Sequence, residues 1–238
     1  MRVTFPRVVR AEWTKFVALR STWILFALVA VATVGLSYAI ADNAETPTSS
    51  SAYLGVDVVS LLLGVVGIVM VTGEYGSGLV RATFTAVPAR LPLLWAKAVV
   101  LAGFALPVMA AVVLLAALTF RLVRGPMPGM MGHAAGAAVA PVLLALLGLG
   151  IGALVRHTAA AITGFILVIL VAPTLLGAAL PDDWGDRMVK YTPVSAAQAL
   201  YTESDSSMLH TGPAAWVLAG WVAVALAAGA TTVLRRDP

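Results

Sequence analysis

The chain has 238 residues, 61% of them hydrophobic and 11% charged, with a formal net charge of +4. A soluble domain carries roughly 25% charged residues, so this shortfall, with a mean hydropathy of +0.97, argues against a soluble globular protein. The lack of any cysteine excludes disulfides, thiolate metal sites and a cysteine nucleophile.

The charges gather between long apolar runs, the pattern of a polytopic membrane protein, and predict one all-α membrane domain over residues 1–238. The pI near 9.8 raises nucleic acid as a partner. The basic residues lie beside apolar spans, however, so they read as topology signals and no nucleic acid is expected. Arg far outnumbers Lys, and Ala and Val abound, which fits a GC-rich bacterial genome.

Residues 5–20 predict an amphipathic helix lying on the membrane. Phe5, Val9, Trp13 and Phe16 share one face, and Arg7, Arg10 and Thr14 lie opposite, an arrangement suited to the headgroup layer. Glu12 falls within the apolar sector. It reads either as a local ion pair with Lys15 or as a contact to another helix or a partner subunit. Residues 23–41 predict the first span, since nineteen residues at about 1.5 Å each cover about 28 Å. Ala39-Ile40-Ala41 resembles a signal-peptide cleavage site, but the apolar run is longer than a usual signal core and the preceding helix is unusual for its leader. Residues 42–53 form a polar loop without a basic residue.

The second span is predicted over 54–72. Asp57 is the only ionisable residue inside any predicted span. It lies near the span end, where reach to interfacial water explains it; a substrate path or an interhelical polar contact is the alternative. Residues 73–97 form a long polar-sprinkled connection. Glu74 and Arg81 stand two helical turns apart on one face, Pro88 ends that helix, and Trp95 and Lys97 mark the water boundary. The third span is predicted over 98–120, interrupted by Pro107, with Arg121 and Arg124 in the following loop.

The fourth span, 134–155, contains Pro141 and the small-residue spacing Gly148…Gly152 that lets helices approach closely. Arg156-His157-Thr158 predicts a tight antiparallel pairing with the fifth span, 159–180, which contains Pro173. In the segment 181–213, Pro181-Asp182-Asp183-Trp184 starts one short helix and Pro193 opens another. Both read as lying on or dipping into the outer leaflet. The sixth span is 214–234. With the N-terminus inside, eleven basic residues fall on the cytosolic side and only Arg121, Arg124, Arg187 and Lys190 outside, so both termini are expected in the cytosol.

Enzymatic signatures are missing. None of the three lysines follows a glycine, so no Walker A loop is present, and there is no His-Glu-x-x-His or Gly-x-Ser-x-Gly. His133, His157 and His210 are widely separated span-end residues and predict no metal site. A carrier normally holds several buried ionisable groups; one aspartate is thin support for one. A channel, carrier or membrane scaffold working alone is the alternative reading.

Arg10-Ala-Glu12-Trp13-Thr-Lys15, Thr72-Gly-Glu-Tyr-Gly-Ser-Gly-Leu-Val-Arg-Ala-Thr83, Val87-Pro-Ala-Arg90, Trp95-Ala-Lys97 and Tyr191-Thr-Pro-Val-Ser-Ala-Ala-Gln-Ala199 together resemble bacterial ABC-2 type transporter permeases, along the whole chain. The resemblance implies six spans in the bacterial cytoplasmic membrane and an N-terminal elbow helix carrying Arg10, Glu12, Trp13 and Lys15. It implies a cytosolic coupling helix between spans two and three, with Glu74, Tyr75, Arg81, Thr83, Pro88 and Arg90 at the ATPase contact. It further implies two short external helices over the translocation path, a second permease chain, and separate cytosolic ATPase subunits. Those subunits would bind ATP and magnesium; this chain would bind no cofactor. Ala89 departs from the family pattern, in which a second basic residue often precedes Arg90. An apolar bundle favours export of a lipid, an antibiotic or another amphipathic solute.

Overall fold

The computed structural model describes residues 4–76, 90–203 and 208–235. Arg81, Thr83 and Pro88, expected at the ATPase contact, lie outside them. The chain runs as α1 (Phe5–Ala18), α2 (Arg20–Asn43), a 3-10 turn (Ser51–Tyr53), α3 (Gly55–Gly76), α4 (Arg90–Arg124) and α5 (Met130–Val155). There follow α6 (Thr158–Ala179), α7 (Asp182–Val189), α8 (Pro193–Gln198) and α9 (Thr211–Arg235). No strand occurs among the described residues. Helices α2, α3, α4, α5, α6 and α9 are each long and apolar enough to cross a membrane, and mark the chain as a multi-pass membrane protein.

Side-chain approaches give the helix directions. Trp23 and Phe26 of α2 meet Phe104 early in α4, and Ser37 near the other end of α2 donates to Ala116 O, so α2 and α4 run parallel. α3, α5 and α9 run the other way, held together by glycine. A Cβ on Gly67 would fall 1.9 Å from Ala145 O, one on Gly148 2.1 Å from Gly64 O, and one on Gly229 2.9 Å from Gly150 O. Only a missing side chain permits backbones this close. α5 is accordingly the most buried span.

Several boundaries differ from the sequence reading. α1 ends at Ala18, where Leu19 turns extended; Trp23 Nε1 donates to the free Val17 carbonyl at 2.9 Å and fixes the corner. Its buried face is Val8, Glu12 and Phe16, whereas Phe5 and Trp13 stay more than 40% exposed. One turn of helix separates each residue buried against the bundle from the next, and Glu12 sits in the middle of that stripe, within the apolar sector expected for it. α3 continues through Glu74 to Gly76, beyond the predicted end at 72.

α4 starts at Arg90, not 98, and passes through Pro107 to Arg124. Its 35 residues at about 1.5 Å each reach about 52 Å, well beyond a hydrocarbon core of about 30 Å. Trp95 and Lys97 are thus inside a helix, and so are Arg121 and Arg124. Arg124 donates to the backbone carbonyls of Ala41 and Ala44. It satisfies the orphan end of α2, which gives this arginine a structural reason to stand where the charge rule disfavours it.

The expected turn between the fourth and fifth spans is present. Arg156, with φ of 60°, closes α5 on Gly152 O, and His157 Nδ1 accepts from Ala160 N to cap α6. The tight pairing is not: α5 packs chiefly on α3, α9 and α4, because its glycines face α3 and α9. α6 is the least buried span and carries a π turn at Leu167–Val171 just before Pro173.

The two short helices also differ from each other. Trp184 and Met188 keep α7 surface-exposed. α8 is sunk into the bundle end, with Pro193, Ala196 and Ala197 buried, and Leu200 O sits where a Cβ on Gly136 would be, at 1.8 Å.

Candidate functional site

The last turn of α3 is tied to most of the elements at its end of the bundle. Lys97 Nζ on α4 donates to Glu12 Oε2 on α1 at 2.7 Å and to Glu74 Oε1 on α3 at 2.8 Å. Lys15 Nζ on α1 donates to Glu12 Oε1 at 2.7 Å and to Glu74 Oε1 at 3.2 Å. Among the described side chains, each lysine therefore bridges both carboxylates and joins the four in a ring. Lys97 and Glu12 are 4% and 3% exposed at the side chain, Glu74 15% and Lys15 51%. Glu12 thus makes both the local pair with Lys15 and a contact to other helices. Lys97, expected at the water boundary, is instead enclosed: two carboxylates replace the water it would otherwise need.

Burial alone would raise the Glu12 carboxyl, but Lys97 and then Lys15 outweigh it and hold Glu12 below the ordinary carboxylate range. Burial likewise opposes the charge on Lys15, and Glu12 and Glu74 overcome it, raising Lys15 above the ordinary lysine value. Glu12 and Lys15 are thereby both held charged at neutral pH.

The residue next to Glu74 grips the opposite flank. The Arg156 guanidinium lies 5.1 Å over the centre of the Tyr75 ring, within cation–π range, and its Nη2 donates to Thr232 O of α9 at 2.6 Å. One turn back, Thr158 at the start of α6 donates to Thr72 Oγ1 at 2.9 Å. Thr72, Glu74 and Tyr75 so join α3 to α1, α4, α6, α9 and the turn after α5. These three residues immediately precede the 77–89 connection, and Arg90 is the first described residue after it.

Below the ring, aromatic packing fixes α1. Phe104 of α4 takes edge contacts from Trp13, Phe16, Trp23 and Phe26, with centroids 4.9–5.9 Å away. Arg10 lies on the exposed side of α1 and accepts Thr14 Oγ1 at its carbonyl.

Asp57 belongs to a different site, at the other end of the bundle. Its Oδ1 accepts from Tyr201 Oη at 2.6 Å and from Gln198 Nε2 at 3.0 Å. The polar contact to another element, one of the two expected readings, is present as two donors from the segment around α8. Burial, then the Asp57 charge, push the Tyr201 hydroxyl far above its ordinary range, so it stays a neutral donor. Beside it, Ser49 donates through N and Oγ to Glu203 Oε1 at 3.0 and 2.7 Å.

Sequence reading missed Lys97, Arg156, Thr72, Thr158 and Phe104 as parts of the basic-end site. One signal was available: a glutamate on an apolar helix face and a lysine opening an apolar run each require a partner. No group of three or more metal-ligating side chains occurs among the described residues. A scan against protein-family models and a search of curated proteins return no match to this chain.

Proposed function

We propose that this chain is the membrane permease subunit of an ATP-driven exporter, moved by a separate cytosolic ATPase that docks on the 72–97 region. The observation that carries the reading is the wiring of the last turn of α3. A force applied to the connection after Gly76 enters the bundle at Glu74 and Tyr75, and those residues are bonded to opposite flanks. Buried ion pairs tolerate little separation without large loss, so the ring and the stacked arginine move as a unit. On this reading Glu74 and Tyr75 transmit, Arg81, Thr83, Pro88 and Arg90 contact the ATPase, and Glu12, Trp13 and Lys15 couple the elbow, with Arg10 on its outer face. ATP and magnesium belong to the partner. α2 and α6 are the least buried spans, which supports their use against a second permease chain.

The test is affinity purification of the tagged chain from its own membranes. The expected result is a cytosolic ATPase recovered at matching stoichiometry and lost on Arg81→Ala, while Glu74→Gln keeps the ATPase bound but uncouples its hydrolysis from transport. Recovery of no ATPase, or solute flux through the purified chain in nucleotide-free vesicles, would favour an autonomous channel or carrier and overturn the reading.

A further inference from the structure

α2 and α3 form a wedge. Toward the end carrying α8 they touch: a Cβ on Gly55 of α3 would fall 3.0 Å from Thr33 Cα of α2. Toward the basic end they part, and a cleft of about 620 Å³ opens between them. Its volume lies within the usual range for small-molecule sites, about 300–1,000 Å³. Leu25 of α2 and Val65, Val66 and Met70 of α3 form its walls, all partly buried, while Leu19 and Val69 stand exposed at its lip. Phe16 of α1 and the charged ring lie at its basic end.

The shape separates the possible occupants. Water finds nothing to bond along apolar walls and does not fill such a recess. Left empty, a void of this size would cost about as much as a whole domain gains by folding. A helix of a second copy is too thick to enter. Val65 to Gly73 covers about 12 Å of α3, and a helix about 10 Å across needs roughly 900 Å³ over that length. A hydrocarbon chain is thin and flexible enough to enter from the side and follow the taper. The bilayer around the spans supplies such chains at this depth, and walls on several sides give one more dispersion contacts than the fluid bilayer does.

We infer that this cleft binds one acyl chain of a membrane phospholipid, which enters sideways past Leu19 and Val69 and lies against Leu25, Val66 and Met70. The contact is made through the hydrocarbon and is common to phospholipids of different headgroup. The inference stands apart from the transport reading, since the cleft would hold such a chain whether or not an ATPase drives the bundle.

The test uses the purified full-length chain in detergent, titrated with a phosphatidylcholine that carries a diazirine midway along one acyl chain. After illumination, labelled peptides are mapped by mass spectrometry. Labelling of residues 19–26 and 65–73 should saturate at about one lipid per chain, whereas labelling of the exposed face of α6 around Leu170 should keep rising with lipid. Val66→Trp fills the recess and should cut the cleft labelling about tenfold or more. Leu25→Phe, a smaller change on the opposite wall, should cut it several-fold. In both variants unchanged labelling of α6 shows that the bundle is intact. Cleft labelling that rises with lipid as α6 labelling does would overturn the inference, as would cleft labelling unchanged in both variants. A covalent dimer formed on oxidation of Val69→Cys, the single thiol in an otherwise cysteine-free chain, would show a second copy over the lip and would overturn it too.

Discussion

At the scale of single residues, Lys97 is the most consequential side chain in the described structure. It is enclosed between two carboxylates on different helices, and a buried charge left without its partner costs about 3–5 kcal/mol. Lys97→Met should lower stability by about that amount, measured by thermal unfolding in detergent. The double change Glu12→Leu with Lys97→Met should recover most of the loss, because it leaves the Lys15–Glu74 pair and removes both enclosed charges together. If the double variant is as unstable as the single one, the ring is not the source of the effect.

The same ring sets a pH window. Glu12 is lowered on folding from an ordinary value of 4.5, so its contribution is complete above that value and is lost as pH falls through the lowered one. Lys15 is raised from 10.5, so its contribution is complete below that value and is lost as pH rises through the raised one. Unfolding midpoints should therefore be flat between these limits with respect to the ring. In Lys97→Met the acid-side loss should begin at higher pH, since the main group holding Glu12 ionised is gone.

Asp57 gives a second residue-scale prediction, at the other end of the bundle. Asp57→Leu strands the Gln198 amide and the enclosed Tyr201 hydroxyl, at about 1–3 kcal/mol for a buried unsatisfied group. Hydrogen exchange over residues 193–203 should rise several-fold, while exchange in α1 and at the ring should not change. Asp57→Asn, which keeps an acceptor, should fall between the two.

At the scale of elements, the glycine faces decide how the bundle packs. Gly67→Ala places a methyl 1.9 Å from Ala145 O, and Gly148→Ala places one 2.1 Å from Gly64 O. In both cases the obstacle is backbone, which cannot rotate away, so each should destabilise by at least the roughly 1–3 kcal/mol of core overpacking. Gly103→Ala and Gly164→Ala, which meet nothing within 4 Å, should leave the unfolding midpoint unchanged or raise it. The spacing Gly148…Gly152 was legible in the sequence as a packing stripe, but its partner was not. Small-residue periodicity shows that a helix is approached closely and carries no information about which helix approaches.

The six spans were legible for a plain reason: a span announces itself locally, by length and apolarity. Their ends were less so. Helical backbone continues wherever its groups stay bonded, as α3 does through Glu74 and α4 does on both sides of its predicted limits. On α1 hydrophobicity marked Phe5, Val9, Trp13 and Phe16 as one apolar face, but a surface helix in a bilayer has two apolar environments, lipid and protein, and composition does not say which residue meets which. The ring itself lay beyond local reading. Glu12 and Lys97 are 85 residues apart in the chain, and only the fold brings them together.

At the scale of the whole molecule, the bundle has two differently built ends. The end carrying α8 is closed by a seated segment: Leu200 on Gly136, Tyr201 and Gln198 on Asp57, Glu203 on Ser49. The basic end concentrates its bonds on one turn of α3. On the proposed reading, a displacement at Glu74 and Tyr75 reaches α1, α4, α6 and α9 without first breaking the contacts at Asp57. On the proposed reading this turn is gripped by a cytosolic ATPase through the connection that follows it. Site-specific photo-crosslinking from position 83 in intact cells tests this contact. A crosslink to a cytosolic nucleotide-hydrolysing protein is expected, with a yield that changes when ATP is depleted. A crosslink only to lipid or to extracellular material, with no ATPase recovered in either energy state, would contradict it.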